Sequence, residues 1–130
     1  MLLPTTLCLA AAAALVNFWM ANRIGRLRMQ HKISVGDGGN ELLTRRMRAQ
    51  LNFAENVPIA LALVAGIEIA GKGGLWLSIV AAIFMIGRVL HALGMDGDTV
   101  YKGRMIGMIT TMLTLLGLAI VAVLVAAQII

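Results

Sequence analysis

The chain has 130 residues, of which 60% are apolar and 13% are charged, and its formal net charge is +5. This composition excludes an ordinary soluble domain, in which about a quarter of the residues are charged, and the length leaves room for one domain. The single cysteine excludes an intrachain disulfide. The basic excess needs no nucleic acid, because cations collect at one face of a membrane protein, where anionic lipid is a sufficient partner.

The first predicted element is an uncharged stretch from Met1 to Asn22. About 20 apolar residues cross a bilayer, and a backbone without water must satisfy its polar groups as a helix. We therefore expect a transmembrane helix over about 2–23. A cleaved signal peptide is the alternative, but no basic residue precedes the apolar run and the arginines follow it, which favours a retained helix.

The connection after this helix is strongly basic. Between Arg23 and Arg48 the chain carries seven cations, whereas the second connection, GKGG at 71–74, carries only Lys72. Because cytoplasmic connections collect arginine and lysine, we expect the first and third connections in the cytoplasm and both termini outside. The sequence GDGGN at 36–40 predicts a turn that uses positive φ. It is interpreted either as a plain hairpin loop or as a lid over a site on the cytoplasmic side.

Three more spans complete the prediction, over about 43–70, 75–95 and 103–128. The second and third spans reach membrane length only if they include charged residues, which are Glu55 in the second and Arg88 with His91 nearby in the third. We therefore predict an all-α integral membrane four-helix bundle that forms a single domain over 1–130.

Polar residues in the second span share one helix face. Arg48, Asn52 and Glu55 are spaced by about one helical turn, so their side chains lie within a narrow arc. Arg104 stands near the start of the fourth span, where free backbone N–H groups and the helix dipole favour an anion. These groups are predicted at the cytoplasmic ends of their helices, at a common depth.

Ionisable residues inside a membrane are unfavourable and usually functional. Arginine binds carboxylates, and a carboxylate binds an ammonium group, so the pattern indicates a pocket for a small ligand that carries carboxylates and an amine. The alternative is a structural cluster in which Arg48, Glu55 and Arg88 neutralise one another and hold the second and third helices together.

Other patterns favour structure over chemistry. Gly103 and Gly107 form a G-x-x-x-G pair, which indicates close helix packing or oligomerisation. The two histidines lie on different segments and no metal-ligand spacing occurs, so no metal site is predicted. Glu68 lies far from Glu55 along the same helix, and we expect it to be a solvated helix end.

The paired motifs resemble those of the membrane-associated proteins in eicosanoid and glutathione metabolism, the MAPEG family, and specifically a bacterial-type member. The pattern R-x-x-x-N-x-x-E with a proline three residues later resembles the second-helix signature of the family; here it comprises Arg48, Asn52, Glu55 and Pro58. RAQLN within it resembles the leukotriene synthase branch. GRVLH at 87–91, followed by Arg104, resembles the microsomal prostaglandin E synthase branch.

The resemblance implies a homotrimer that binds glutathione between neighbouring subunits toward the cytoplasmic side. Glu55 would bind the γ-glutamyl amine, and Arg104 would face the sulfur and stabilise it as a thiolate. The remaining glutathione contacts would come from Arg48, Asn52, Arg88 and His91. One of Arg23, Arg26 and Arg28 would reach a carboxylate, and Arg26 is taken for that role.

Two positions depart from the family pattern. Where the eicosanoid synthases have tyrosines, this chain has Met95 and Met108, and Tyr101 in the neighbouring loop is a candidate substitute. This departure disfavours an eicosanoid product.

The function that we expect is a glutathione-dependent transferase or peroxidase in a bacterial inner membrane, acting on a lipophilic substrate from the bilayer. One alternative is a non-catalytic lipid-binding or scaffold protein. Another is a small proton-coupled multidrug exporter, which Arg48 beside Glu55 disfavours.

Overall fold

The structure is a computed structural model that describes residues 1–97 and 102–130, and in these residues it contains four α-helices and no strand. The helices are α1 (Pro4–His31), α2 (Glu41–Ile69), α3 (Leu75–Gly94) and α4 (Lys102–Ala126). Each is long and apolar enough to cross a membrane. The predicted all-α membrane fold is therefore confirmed. Tyr101, the candidate substitute for the missing tyrosines, lies outside the described residues.

The first two helices extend beyond their predicted membrane spans. α1 continues to His31 instead of ending near residue 23, and α2 begins at Glu41. Composition marks only the apolar part of a helix, whereas the backbone hydrogen bonds continue into the basic segment. Lys32 ends α1 in a left-handed conformation, with φ of 56°. Asn40 caps α2, since its side-chain oxygen accepts a hydrogen bond of 2.9 Å from the N–H of Leu43.

The turn predicted over 36–40 is confirmed. Gly36, Gly38 and Gly39 have φ of 71°, 57° and 75°, values that side chains other than glycine rarely adopt. The Asp37 carboxylate accepts hydrogen bonds from the N–H of Gly39 and from the Thr44 hydroxyl. These two bonds hold the pKa of Asp37 below its ordinary value. The turn therefore has a defined internal structure that joins α1 to the first turn of α2.

Glycines bring the backbones of α3 and α4 into direct contact. A Cβ atom added to Gly107 would lie 2.3 Å from the carbonyl oxygen of Gly87, and one added to Gly103 would lie 2.8 Å from that of Leu90. Cβ atoms do not approach backbone atoms so closely, so larger residues would force the helices apart. The packing role expected for Gly103 and Gly107 is confirmed, and their partner is α3 of the same chain.

Glu68 corrects the expectation of a solvated helix end. Its carboxylate accepts hydrogen bonds of 2.9 Å from the backbone N–H groups of Thr5 and Thr6, and one of 2.7 Å from the Thr6 hydroxyl. The first N–H groups of a helix have no partner within the helix, and α1 has no side-chain cap of its own. Glu68 supplies that cap from the end of α2, while Thr5 also bonds to Ser78 of α3.

Pro58 lies inside α2, one turn after the polar face of that helix. Proline has no N–H and cannot donate the hydrogen bond that a helix makes to the carbonyl four residues earlier, which here belongs to Ala54. The apolar side of the same region remains packed, because Phe53, Val57 and Ala60 are buried in the core. α2 therefore keeps its helical course with one backbone hydrogen bond missing beside the polar residues.

Candidate functional site

A cavity of about 280 Å³ opens where α2 faces the adjoining ends of α3 and α4. The lining residues are Arg48, Leu51, Asn52, Glu55, His91, Met95, Arg104 and Met108. Five of these were predicted as site residues from three separate segments of the sequence. We refer to this space as the polar cavity. Met95 and Met108, the two departures from the family pattern, lie in its wall.

Arg88 lies behind this wall. Arg88 is 1% exposed, and its guanidinium donates hydrogen bonds of 2.6 Å to Asn52 Oδ1 and 3.0 Å to Thr111 Oγ1. Because arginine only donates, the Asn52 oxygen must face it and the amide nitrogen turns elsewhere, where Nδ2 can donate to a ligand. Arg88 thus connects α2, α3 and α4 and fixes the orientation of a residue that lines the polar cavity.

The charges around the cavity are predominantly positive. Arg48 and Arg104 line it and Arg88 lies behind it, whereas Glu55 is the acidic residue in the lining. Within residues 1–97 and 102–130, no ion pair joins Glu55 to Arg48 or Arg88. The mutual neutralisation considered from the sequence is therefore not formed in the described residues. A buried cation without an anion is unfavourable in a low-dielectric surrounding, so the arrangement favours an anionic ligand.

His91 and Arg104 share one side of the cavity because Gly107 lets α3 and α4 approach. A Cβ atom added to Gly107 would lie 2.5 Å from the Cβ of His91. His91 is 2% exposed, and in the described part of the chain its Nδ1 has no hydrogen-bond partner. Arg104 lies in the first turn of α4, where backbone N–H groups lack helical acceptors. This wall of the cavity therefore places the Arg104 cation near an unused ring nitrogen of His91.

The three arginines near the end of α1 have different surroundings. Arg26 is exposed and lies outside the lining of the polar cavity. Arg23 pairs with Asp96. Arg28 donates a hydrogen bond of 2.8 Å to the carbonyl of Gly36 and lines a second groove. Within one chain, the structure therefore does not bring Arg26 together with the other predicted site residues.

That second groove, of about 840 Å³, runs between α1 and α2. It carries Asn17, Ile24 and Arg28 from α1, and it shares Arg48 and Leu51 with the polar cavity. Arg48 thus stands on a ridge of α2 between two concave surfaces. We refer to this larger space as the α1–α2 groove.

Two residues near the site were not selected from the sequence for any role in the site. Thr111 lies one helical turn after Gly107, and it is buried and bonds to Arg88. It could have been predicted from Arg88, because a buried arginine needs hydrogen-bond acceptors nearby. Asp96 carried no signal, because its partners Arg23 and Arg46 are distant in the sequence. Neither residue is in the lining of the polar cavity, and each bonds to a residue of a neighbouring helix.

Comparison with known proteins agrees with the motifs and the geometry. The model of the MAPEG family matches residues 6–124. The chain is 31% identical over 107 residues to the inner membrane protein YecN of Escherichia coli (strain K12), a match that covers 82% of this chain and 81% of that protein. YecN from a second strain of the same species gives the same identity and coverage. The chain is therefore a bacterial-type, multi-pass membrane protein that belongs to the MAPEG family.

Proposed function

We propose that this protein is a glutathione-dependent membrane enzyme, a transferase or peroxidase that activates glutathione as a thiolate. Its second substrate is a lipophilic electrophile or a lipid hydroperoxide from the bilayer. The observation that carries the proposal is the charge of the polar cavity, whose lining contains Arg48, Arg104 and a single carboxylate, Glu55, with the buried Arg88 behind the wall. Glutathione carries two carboxylates, one amine and a thiol, and its thiolate form is the anion that such a site favours.

Each end of the tripeptide has a matching group in the cavity. Glu55 is the acceptor for the γ-glutamyl amine, and Asn52 donates its amide nitrogen because Arg88 holds the amide oxygen. Arg48 binds a carboxylate through its planar fork of donors. His91 adds an unused ring nitrogen at the buried side. These groups orient glutathione with its sulfur toward α4.

Arg104 is the residue that stabilises the thiolate. A fixed cation beside a helix N-terminus lowers the pKa of a bound thiol, so that more of it is the reactive anion at neutral pH. In a transfer, the sulfur forms a bond to the electrophilic carbon, and the leaving group departs with its electron pair. With a hydroperoxide, the sulfur takes the terminal oxygen and releases an alcohol, and a second glutathione reduces the resulting sulfenic acid to disulfide and water.

The site is completed by a neighbouring subunit in the proposed homotrimer. Arg48 lines both the polar cavity and the α1–α2 groove, which supports a ligand that extends past α2 toward a second subunit. We assign Arg26 to a glutathione carboxylate held from that neighbour, since its side chain is exposed. The lipophilic substrate approaches across Met108, which lines the polar cavity and is 43% exposed.

Glutathione binding to the detergent-purified protein tests this proposal. Titration of glutathione into the wild type should give saturable thiolate absorbance. Arg104→Ala should lose most of that absorbance and all turnover, while its affinity for glutathione falls by roughly tenfold or less. Lys102→Ala is the matched control, because Lys102 is an exposed cation in the same helical turn, and it should behave as the wild type.

Two results would contradict the proposal at different points. Retained thiolate formation or turnover in Arg104→Ala would remove the role assigned to that residue. No glutathione binding to the wild type would remove the function and would favour the non-catalytic lipid-binding alternative.

A further inference from the structure

Asp96 connects three helices at the end of α3. Arg23 of α1 donates to Asp96 Oδ2, and Arg46 of α2 donates to Oδ1 from Nε over 3.2 Å and to Oδ2 from Nη2 over 3.4 Å. The side chains of Arg23, Arg46 and Asp96 are 14%, 21% and 28% exposed. Charge-assisted bonds from two arginines to one partly desolvated carboxylate are stronger than neutral hydrogen bonds. We refer to these three residues as the corner cluster.

The cluster is anchored on the side of α1 and α2. The guanidinium of Arg23 lies 4.7 Å from the centre of the Trp19 ring, a cation–π distance that adds to its pairing with Asp96. Arg46 belongs to the first turns of α2, before the polar face of that helix. The corner cluster therefore fixes the end of α3 against two long helices. Because the Asp96 side chain is short, its backbone is held close to the two arginines.

The end of α3 in turn determines where α4 begins. A Cβ atom added to Gly94, two residues before Asp96, would lie 2.2 Å from the backbone nitrogen of Arg104 and 2.8 Å from its Cα. The backbone of Arg104 is thus in direct contact with Gly94. Met95, between Gly94 and Asp96, lines the polar cavity. A displacement of Asp96 would therefore be passed to two residues in the wall of the site.

We propose that Asp96 is a positioning residue, which holds Arg104 at its place in the polar cavity through the end of α3. The stabilisation that a cation gives to a thiolate falls with their separation, and a displacement of about 1 Å is enough to reduce catalysis strongly. The effect on thiolate chemistry rests on the proposed function. The effect on the start of α4 does not, because it follows from contacts within the chain.

Hydrogen–deuterium exchange of the purified protein tests the structural half. Asp96→Asn keeps the size of the side chain and removes its charge, and it should increase amide exchange over 102–107 relative to the wild type. Asp96→Glu should restore part of the protection. Glu41→Gln is the matched control, since it breaks the exposed ion pair with Arg45 at the start of α2, and it should leave exchange over 102–107 unchanged.

The thiolate titration tests the functional half. In Asp96→Asn the pKa of the bound thiol should rise by about one unit, which shifts the pH profile of thiolate absorbance by the same amount and gives roughly tenfold less thiolate at a pH below that pKa. Measured at a pH below the pKa of the bound thiol, where glutathione binds as the thiol, the dissociation constant should change by less than about threefold, because the groups that bind its two ends are untouched. A residue that only stabilised the fold would lower binding and activity together and would not shift the pH profile.

Other outcomes would contradict the positioning role of Asp96, its link to Arg104 chemistry, or the proposed function. Unchanged exchange over 102–107 in Asp96→Asn would refute the positioning role, and so would a uniform increase over all four helices. Altered exchange with an unchanged thiolate titration would refute the link to Arg104 chemistry. A wild type that binds no glutathione would refute the proposed function alone, since the exchange measurement still decides whether Asp96 positions α4.

Discussion

Arg88 places a guanidinium between three helices, where it meets the side chains of Asn52 and Thr111 and, in the described residues, no carboxylate. Two neutral acceptors satisfy part of its hydrogen-bonding capacity, and Nε has no partner in the same part of the chain. Uncompensated charge in a low-dielectric interior lowers stability. A residue that lowers stability and shapes a neighbouring pocket is typical of a functional site.

Replacement of Arg88 should therefore separate stability from binding. Arg88→Met removes the buried charge and keeps most of the volume, so the thermal midpoint should stay the same or rise. Glutathione affinity should fall by about tenfold or more, because Asn52 loses the group that orients it. Thr111→Val is the control, since it leaves the charge in place, and its effect on affinity should be smaller. Equal losses of glutathione affinity in Arg88→Met and Thr111→Val would mean that the hydrogen bonds among these residues, and not the charge of Arg88, determine the affinity.

Glu68 illustrates a different use of charge, at the opposite end of the bundle. Its carboxylate accepts three hydrogen bonds at the start of α1. A negative group is also favoured by the helix dipole at that position. The residue therefore ties the first turn of α1 to the last turn of α2.

Glu68→Gln should lower the thermal midpoint by a few degrees and leave glutathione binding intact. Glutamine offers one acceptor oxygen in place of two, and it carries no charge for the helix dipole. The measurement is thermal unfolding of this variant. Ser78→Ala, which removes only a neighbouring hydroxyl, is the control. A variant as stable as the wild type would mean that water replaces the carboxylate without loss.

At the scale of elements, the contact between α3 and α4 includes direct contacts between backbone atoms. Gly87 and Gly107 face each other near the middle of the pair, and Gly94 meets the start of α4. Close approach of backbones is a recurrent basis of helix association in membranes, where apolar burial between helices adds little. The geometry of the polar cavity depends on this approach, because His91 and Arg104 come from the two helices.

Gly107→Ala should destabilise the protein by about 1–3 kcal/mol, the range for inserting a carbon atom into a filled interface. The added Cβ would lie 2.3 Å from a carbonyl oxygen of α3, so the helices must separate and the cavity must change. Gly117→Ala in the same helix is the control, as nothing lies within 4 Å of its added Cβ. It should be neutral or slightly stabilising, since alanine is the better helix former.

The sequence predicted the elements well because apolar length and helical spacing are local properties. The spacing of Arg48, Asn52 and Glu55 placed them on one face, and the structure gathers all three in the polar cavity. The caps and clusters were not predictable in this way. Glu68 meets residues 62 and 63 positions away. Asp96 meets Arg46 at a separation of 50, and no local pattern records such a pairing.

For the whole molecule, the distribution of cations predicts its orientation in the membrane. The long basic connection between α1 and α2 lies at one end of the bundle, and the short connection with Lys72 lies at the other. The positive-inside rule assigns the basic end to the cytoplasm. The polar cavity, with Arg48 and Arg104, is then expected to open on the cytoplasmic side.

Thiol labelling in whole cells checks this orientation. In a Cys8→Ser background, a membrane-impermeant maleimide should label Lys72→Cys in spheroplasts and should label Gln30→Cys only after the membrane is permeabilised. Both native residues are exposed at the ends of helices or in connections. The opposite labelling pattern would place the polar cavity on the outer side.

The contact of α3 with α4 also determines how the polar cavity changes shape. At the glycines the backbones of these two helices are in direct contact, which leaves them little room to shift relative to one another there. The facing wall is α2, in which Pro58 removes the hydrogen bond to the carbonyl of Ala54, next to Glu55. If the polar cavity changes shape around a ligand, the bend is therefore expected in α2 at Pro58, where the helix lacks one backbone hydrogen bond, and not in α3 or α4.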